Sequence, residues 1–164
     1  MCISDADCID HLIRAGCSEK VIAHARTVRC VIDEYTGDEA VISSCTGYGA
    51  LLHDIGRSKS HAIDHAIIGG DLCRDAGISE DIALMVERHL GAGQTADECI
   101  QLRLLPRECM PLTLSEKIVA HADNLVKGTT VIHIEERMIR IADLPKRKRR
   151  RTYRLALEME LFSR

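Results

Sequence analysis

Apolar residues in this chain recur at helical spacing between residues that start and stop helices, and this pattern leaves little room for other structure. Ser4 precedes a run in which Ile9, Leu12 and Ile13 share a face, and Gly16 ends it. Ser18 opens a second run with Val21, Ile22, Ala25, Val28 and Ile32, expected to end near Gly37. A third helix is expected over residues 38–55, with Gly47 and Gly49 inside it and Gly56 as its stop. A loop over 57–61 leads to a fourth helix from about Asp64 to Ala76, closed by Gly77. Ser79 caps a fifth, with Glu80 and Asp81 in its first turn and Ile82, Val86 and His89 on one stripe. Residues 91–111, which include Gly91, Gly93, Pro106 and Pro111, read as a long connection. Thr113 and Glu116 have capping-box spacing for a sixth helix that reaches Val126 and stops at Gly128. A last helical stretch starts near Ile132 and is broken by Pro145. Alternating strand patterns are nearly absent, and no repeat is visible. The expected fold class is all-α, with one domain over 1–145 and a basic, helical C-terminal extension over 146–164.

Composition supports a packed domain. Hydrophobic residues are 46% of the chain and charged residues 29%, which excludes a disordered chain. No apolar run approaches the roughly 18 residues of a membrane span, and the first residues lack a basic and then apolar export signal. A cytoplasmic protein is expected. One Phe, three Tyr and no Trp leave an aliphatic core and argue against folds that stack single-stranded bases on aromatic platforms. Cys2, Cys8, Cys17, Cys30, Cys45, Cys73, Cys99 and Cys109 form no metal-binding spacing and read as reduced thiols.

The eight histidines are the most informative residues. His24 lies on the apolar stripe of its helix, His53 and Asp54 are adjacent just before Gly56, and His65 and His89 sit at a helix start and a helix end. Asp123 is flanked by Val119 and Val126 on one helix face, where a carboxylate costs free energy unless it is paired or bound to a cation. Singly, each has an ordinary explanation: a satisfied core histidine, a dipole partner, a surface residue, an aspartate turned outward or paired with arginine. Together they supply imidazoles and carboxylates without thiolate, a donor set for Fe, Mn, Co, Ni or Zn. Five or six such ligands exceed the need of one tetrahedral ion and would satisfy two divalent transition ions bridged by a carboxylate, as used for phosphoester hydrolysis.

His24, then Leu51-Leu52-His53-Asp54-Ile55-Gly56-Arg57, then Asp123 resembles the signature of the HD-domain metal-dependent phosphohydrolase superfamily, in its HDIG branch. The segments from His65 to Gly70 and from Glu87 to Gly91 are similar to those of its dinuclear members. The segment from Glu116 to Asp123 resembles that of the YqeK-like diadenosine-tetraphosphate hydrolases, and the overall layout is closest to small archaeal HDIG proteins. The resemblance implies an HD-domain helical bundle in which His24, His53, Asp54 and Asp123 hold one metal. Asp54 would bridge to a second held by His65 and His89, with a metal-activated water as nucleophile.

Around that set, Arg57 is a candidate phosphate clamp or a helix-end ion pair. His61, one turn before His65, is a candidate ligand, leaving-group acid or plain loop residue. Lys117 would hold a phosphate or cover apolar surface with its stem. His121, two residues from Asp123, points elsewhere on a helix and is not counted as a ligand. The expected substrate is a small phosphorylated compound, a nucleotide by preference.

The charge balance is uneven. Residues 1–136 carry 12 Lys/Arg against 22 Asp/Glu, and residues 137–164 carry 10 against 3. Lys146, Arg147, Lys148, Arg149, Arg150 and Arg151 are consecutive cations, able to contact nucleic-acid phosphates weakly or to remain a solvated or docked segment. The competing function is a metal-containing nucleotide- or RNA-binding protein that uses this segment. The Leu- and Met-containing residues after it would favour a homo-oligomer.

Overall fold

A computed structural model describes residues 4–35 and 45–163. Helix α1 (Asp5–Ala15) starts at a Ser4–Asp7 capping box and ends where Gly16 takes a left-handed conformation. Helix α2 (Glu19–Ile32) is capped by Ser18 and ends before Gly37, which lies outside the described residues, as does the expected start of the third helix. Helix α3 is short (Thr46–Leu52), and His53 and Asp54 form a turn between it and a 3-10 turn over Ile55–Ser58. Gly56 is therefore part of the 3-10 turn rather than a stop. A Cβ there would overlap the backbone oxygen of His65, so the glycine lets this turn lie directly against α4 (His65–Asp75). Helix α5 (Glu80–Glu87) packs on α4 across Gly69 and Gly70, and His89 falls just beyond its end.

The 91–111 segment is not plain connection. It contains α6 (Ala96–Gln101), started by a Thr95–Glu98 capping box, and a bridge from Gln94 to Cys109. Helix α7 (Leu114–Asn124) is capped by Thr113, but Glu116 does not return the capping bond; its carboxylate takes the Leu112 N–H and Arg88 instead. Leucine 125 ends the helix, and Val126 starts a minimal antiparallel hairpin, β1 (Val126–Lys127) with β2 (Thr130–Val131), turned at Gly128. Helices α8 (Ile134–Arg140) and α9 (Lys146–Met159) follow, separated near Pro145. The fold is an all-α bundle with this one small hairpin among the described residues.

Two aliphatic clusters form the core. One joins Val28, Ile32, Met85, Ile118, Val119 and the α9 residues Leu155 and Met159. The other joins Leu12, Ala25, Leu52, Ile55, Ile82 and Val86. Helix α3 contributes to both, through Ala50 and Leu52, so the His53–Asp54 turn that follows it is held from two sides. The basic residues are the first turns of α9, whose far end is core. No helix among the described residues is long and apolar enough to cross a membrane.

Candidate metal centre

Four histidines are oriented by backbone carbonyls. His53 Nδ1 lies 2.7 Å from the Ala50 oxygen, His65 Nδ1 2.6 Å from Ala62 and His89 Nδ1 2.6 Å from Val86, each three residues back in the chain. For His53 and His89 these are carbonyls of a closing helical turn, which lack an intrahelical partner. His24 reaches across to the Gly128 oxygen at 2.8 Å, which gives the hairpin a structural role. A carbonyl only accepts, so each Nδ1 carries a proton and each neutral ring presents a lone pair at Nε2.

Those lone pairs face acceptors. His65 Nε2 and His89 Nε2 are 3.4 Å apart, and each faces Asp54 Oδ1, at 3.1 and 3.6 Å. His24 Nε2 is 3.0 Å from Asp123 Oδ1 and 4.0 Å from Asp54 Oδ2. His53 Nε2 is 3.5 Å from Asp123 Oδ1 and 3.6 Å from Asp54 Oδ2. His53, Asp54, His65 and His89 are buried, and His53 Nε2 and Asp54 Oδ1 have no hydrogen-bond partner among the described residues. Acceptors packed against acceptors need a proton or a metal ion between them, and the spacing fits a metal ion. Ligand atoms about 2.1 Å from a shared ion lie about 3.0 Å apart in an octahedron and about 3.4 Å apart in a tetrahedron. Two overlapping trios, His24 with His53 and Asp123, and His53 with Asp54 and His89, have ligand atoms within 4.8 Å of one another.

Without a cation, protons must carry the balance. Burial alone would push the His53 imidazole down, but Asp54 and Asp123 beside it hold it up at about 9. Burial raises Asp54 and Asp123, yet the surrounding imidazoles win and hold both carboxyls well below the usual range. His89 is pushed down, chiefly by burial. The cluster is built for anionic carboxylates around positive charge.

The other expected residues are placed differently. Arg57 donates from Nε to Asp54 Oδ2 at 2.7 Å, so the ion-pair reading of this residue is realised. His61 is exposed on the loop before α4, outside both trios. The Lys117 Nζ meets Glu158 on α9 at 2.6 Å. His121 is buried edge-on to Tyr35 and pushed down to about 4 by burial.

Sequence reasoning missed the braces around the ligands. Arg88 pairs with buried Glu116 at 3.0 Å, linking the residue before His89 to the helix that carries Asp123. Asn124 donates to the Gly91 oxygen at 2.7 Å, linking the same two segments again. Glu87 is shared by Arg74 and Arg107, at 2.7 and 3.0 Å. The signal available was adjacency: each of these residues, Arg107 and Arg74 excepted, is within two positions of a ligand or within the Glu116-to-Asp123 segment.

Residues 21–128 match the model of the HD domain, a family of metal-dependent hydrolases. The chain belongs to the HD-domain family. It is 44% identical over 134 residues to an uncharacterized protein of Methanocaldococcus jannaschii, covering 76% of this chain and 77% of that one. It is 36% identical over 133 residues to the tRNA (cytidine(56)-2'-O)-methyltransferase of Thermoplasma volcanium, covering 79% of this chain but 38% of the relative. Ribonuclease Y of Acidothermus cellulolyticus is 49% identical over 43 residues, 25% of this chain and 9% of that protein. The chain thus spans well under half the length of these last two relatives. No solved structure is a significant match. All six metal-ligand candidates lie inside the HD-domain match.

Proposed function

We propose that this HD domain is a phosphohydrolase that cleaves a phosphomonoester or phosphodiester bond in a nucleotide or similar small metabolite. The observation that supports it most is the meeting of His65 Nε2 and His89 Nε2 at Asp54 Oδ1, with both Nδ1 protons committed to carbonyls. His24, His53, Asp54 and Asp123 would hold one divalent transition ion, and His65, His89 and Asp54 a second. Such a pair supplies a water-derived nucleophile near neutral pH and neutralises charge on the phosphoryl oxygens.

The chain's own residues do the rest. The four carbonyls fix ring orientation, so the donor atoms need little rearrangement. Asp54 directs Oδ2 toward His24 and His53 and Oδ1 toward His65 and His89, which suits a bridging role. Arg57 steadies that carboxylate with Nε, and its remaining N–H groups are the candidate clamp for a substrate phosphate. His61 is the candidate proton donor to the leaving oxygen.

The test is turnover of a phosphate-ester panel by protein reloaded with Mn, Fe, Co, Ni or Zn after chelation. The reading expects loss with chelator, recovery with at least one ion, and a drop on the order of 100-fold or more in His53→Ala and Asp54→Ala. Full turnover in those variants would refute it.

A second reading, a metal-containing RNA-binding protein, draws on the cations at the start of α9 and on relatives named for tRNA methylation and ribonuclease activity. It expects RNA binding with steep salt dependence and no turnover of small esters.

A further inference from the structure

We propose that the cleft between the 90–94 loop and helices α8 and α9 is a subsite for a second phosphate of the substrate. This deepens the phosphohydrolase reading and rests on it for the word substrate; the binding chemistry stands by itself.

The cleft has a volume of about 180 Å³, and two of its lining residues neighbour candidate ligands along the chain: Leu90 directly follows His89, and Ile63 is two residues before His65. This is smaller than the roughly 300 Å³ of a pocket that encloses a whole ligand, so it takes one portion of a molecule whose other end lies elsewhere. Arg137 of α8 and Lys148 and Arg151 of α9 line it. Arg151 is held by the Gly93 oxygen at 2.9 Å and Glu98 at 2.7 Å, both through Nη2. Glu98 is the carboxylate that faces this group, and it also approaches Arg147 at 3.9 Å.

Two residues that line the cleft each carry an unpaired donor. The Nε groups of Arg137 and Arg151 are both buried and have no hydrogen-bond partner among the described residues. A buried N–H without an acceptor is destabilising, and a phosphate oxygen is the acceptor a guanidinium fits best.

Helix energetics point the same way. Six cations open α9, its first turn has no acidic residue, and Pro145 provides no side-chain cap. Cations at a helix N-terminus oppose the helix dipole, whereas an anion there is favoured. A bound phosphate between Lys148, Arg151 and Arg137 would relieve that repulsion, and Leu90, Ile141 and Leu144 form an apolar wall for the attached sugar.

The test compares wild type with Arg137→Gln/Lys148→Gln, leaving Arg151 to hold Glu98. Exposed Arg14→Ala serves as the control. Three probes are used: a trinucleotide, a nucleoside 3',5'-bisphosphate and a nucleoside monophosphate. Affinity is measured by calorimetry on metal-free protein, and KM and kcat on metal-loaded protein. The double variant is expected to bind the trinucleotide and bisphosphate at least 10-fold more weakly. Its KM for the monophosphate, which the metal centre alone would hold, should change less than twofold. Lys148→Glu alone should reproduce the loss if the double variant folds poorly. A loss confined to the trinucleotide assigns the subsite to a strand; a loss shared with the bisphosphate assigns it to any second phosphate.

Equal rises in KM for all three probes, or no loss of trinucleotide and bisphosphate affinity by calorimetry, overturn the proposal. Should wild type hydrolyse nothing, the calorimetry still decides the cleft, and only the phosphohydrolase reading falls.

Discussion

Arg88 Nη1 lies 3.0 Å from Glu116 Oε2, and the pair joins the segment carrying His89 to the helix carrying Asp123. Both side chains are largely removed from solvent, and Glu116 also accepts from the Leu112 backbone at 2.8 Å. Removing one partner of a buried ion pair leaves an uncompensated charge. Arg88→Ala should therefore cost about 3–5 kcal/mol in urea unfolding. Glu116→Gln, which keeps hydrogen-bonding capacity, should cost less. A loss under about 1 kcal/mol for Arg88→Ala would place the pair among those that contribute little.

Gly56 sets the distance between the His53–Asp54 turn and His65. Gly56→Ala puts a methyl group into the His65 carbonyl and near the Gly69 nitrogen, both backbone atoms that cannot rotate away. Overpacking of this kind costs about 1–3 kcal/mol. Because the displaced strand of chain carries ligands, metal affinity should fall along with thermal midpoint. Unchanged metal affinity would show that the turn tolerates displacement.

Cation binding should stabilise the fold, since the ligands come from five separated stretches of chain. At a metal concentration about 100 times Kd the gain is about 2.7 kcal/mol, or roughly 5–10 °C in Tm for a chain of this size. Differential scanning fluorimetry of chelated protein, with and without added Mn²⁺, reads this directly. Asp54→Asn should show a much smaller shift; an equal shift would put the ion elsewhere.

Much of this was legible in the sequence, and the exceptions have physical causes. Ser4, Ser18 and Thr113 cap helices as their side-chain chemistry dictates, and Gly16 ends one in the left-handed region. The candidate ligands His24 and Asp123 stand out in the sequence as polar residues on apolar stripes. Helix α6 is not expected from the sequence although Thr95 and Glu98 have the same capping-box spacing as Ser4 and Asp7, because the glycines and prolines around it also signal a loop. Local spacing assigns Glu116 to its own helix terminus, but a tertiary partner, Arg88, competes for the carboxylate and wins. Lys117 went to Glu158 for the same reason: α9 folds back onto α7, which no local pattern reveals. Nor is the segment after 145 a free appendage, since Leu155 and Met159 complete the core; truncation would test folding rather than nucleic-acid contact.

Thiol reactivity should follow burial. Cys8, Cys73 and Cys109 are buried and their thiols are pushed up to about 12, burial being the main cause, while Cys30 is exposed. At pH 8 a thiol at 12 is about one part in 10,000 thiolate, against about a quarter for an ordinary one. Mass spectrometry after brief alkylation should find Cys30 modified and these three untouched until denaturant is added. Early modification of Cys73 would mean that the second core cluster opens readily.

Metal content tests the central claim most directly. Protein chelated, reloaded with manganese or iron and desalted should contain about two ions per chain, about one in His65→Ala/His89→Ala, and almost none in Asp54→Ala. Wild-type protein that retains no ion, or variants that retain as much as wild type, would contradict the account.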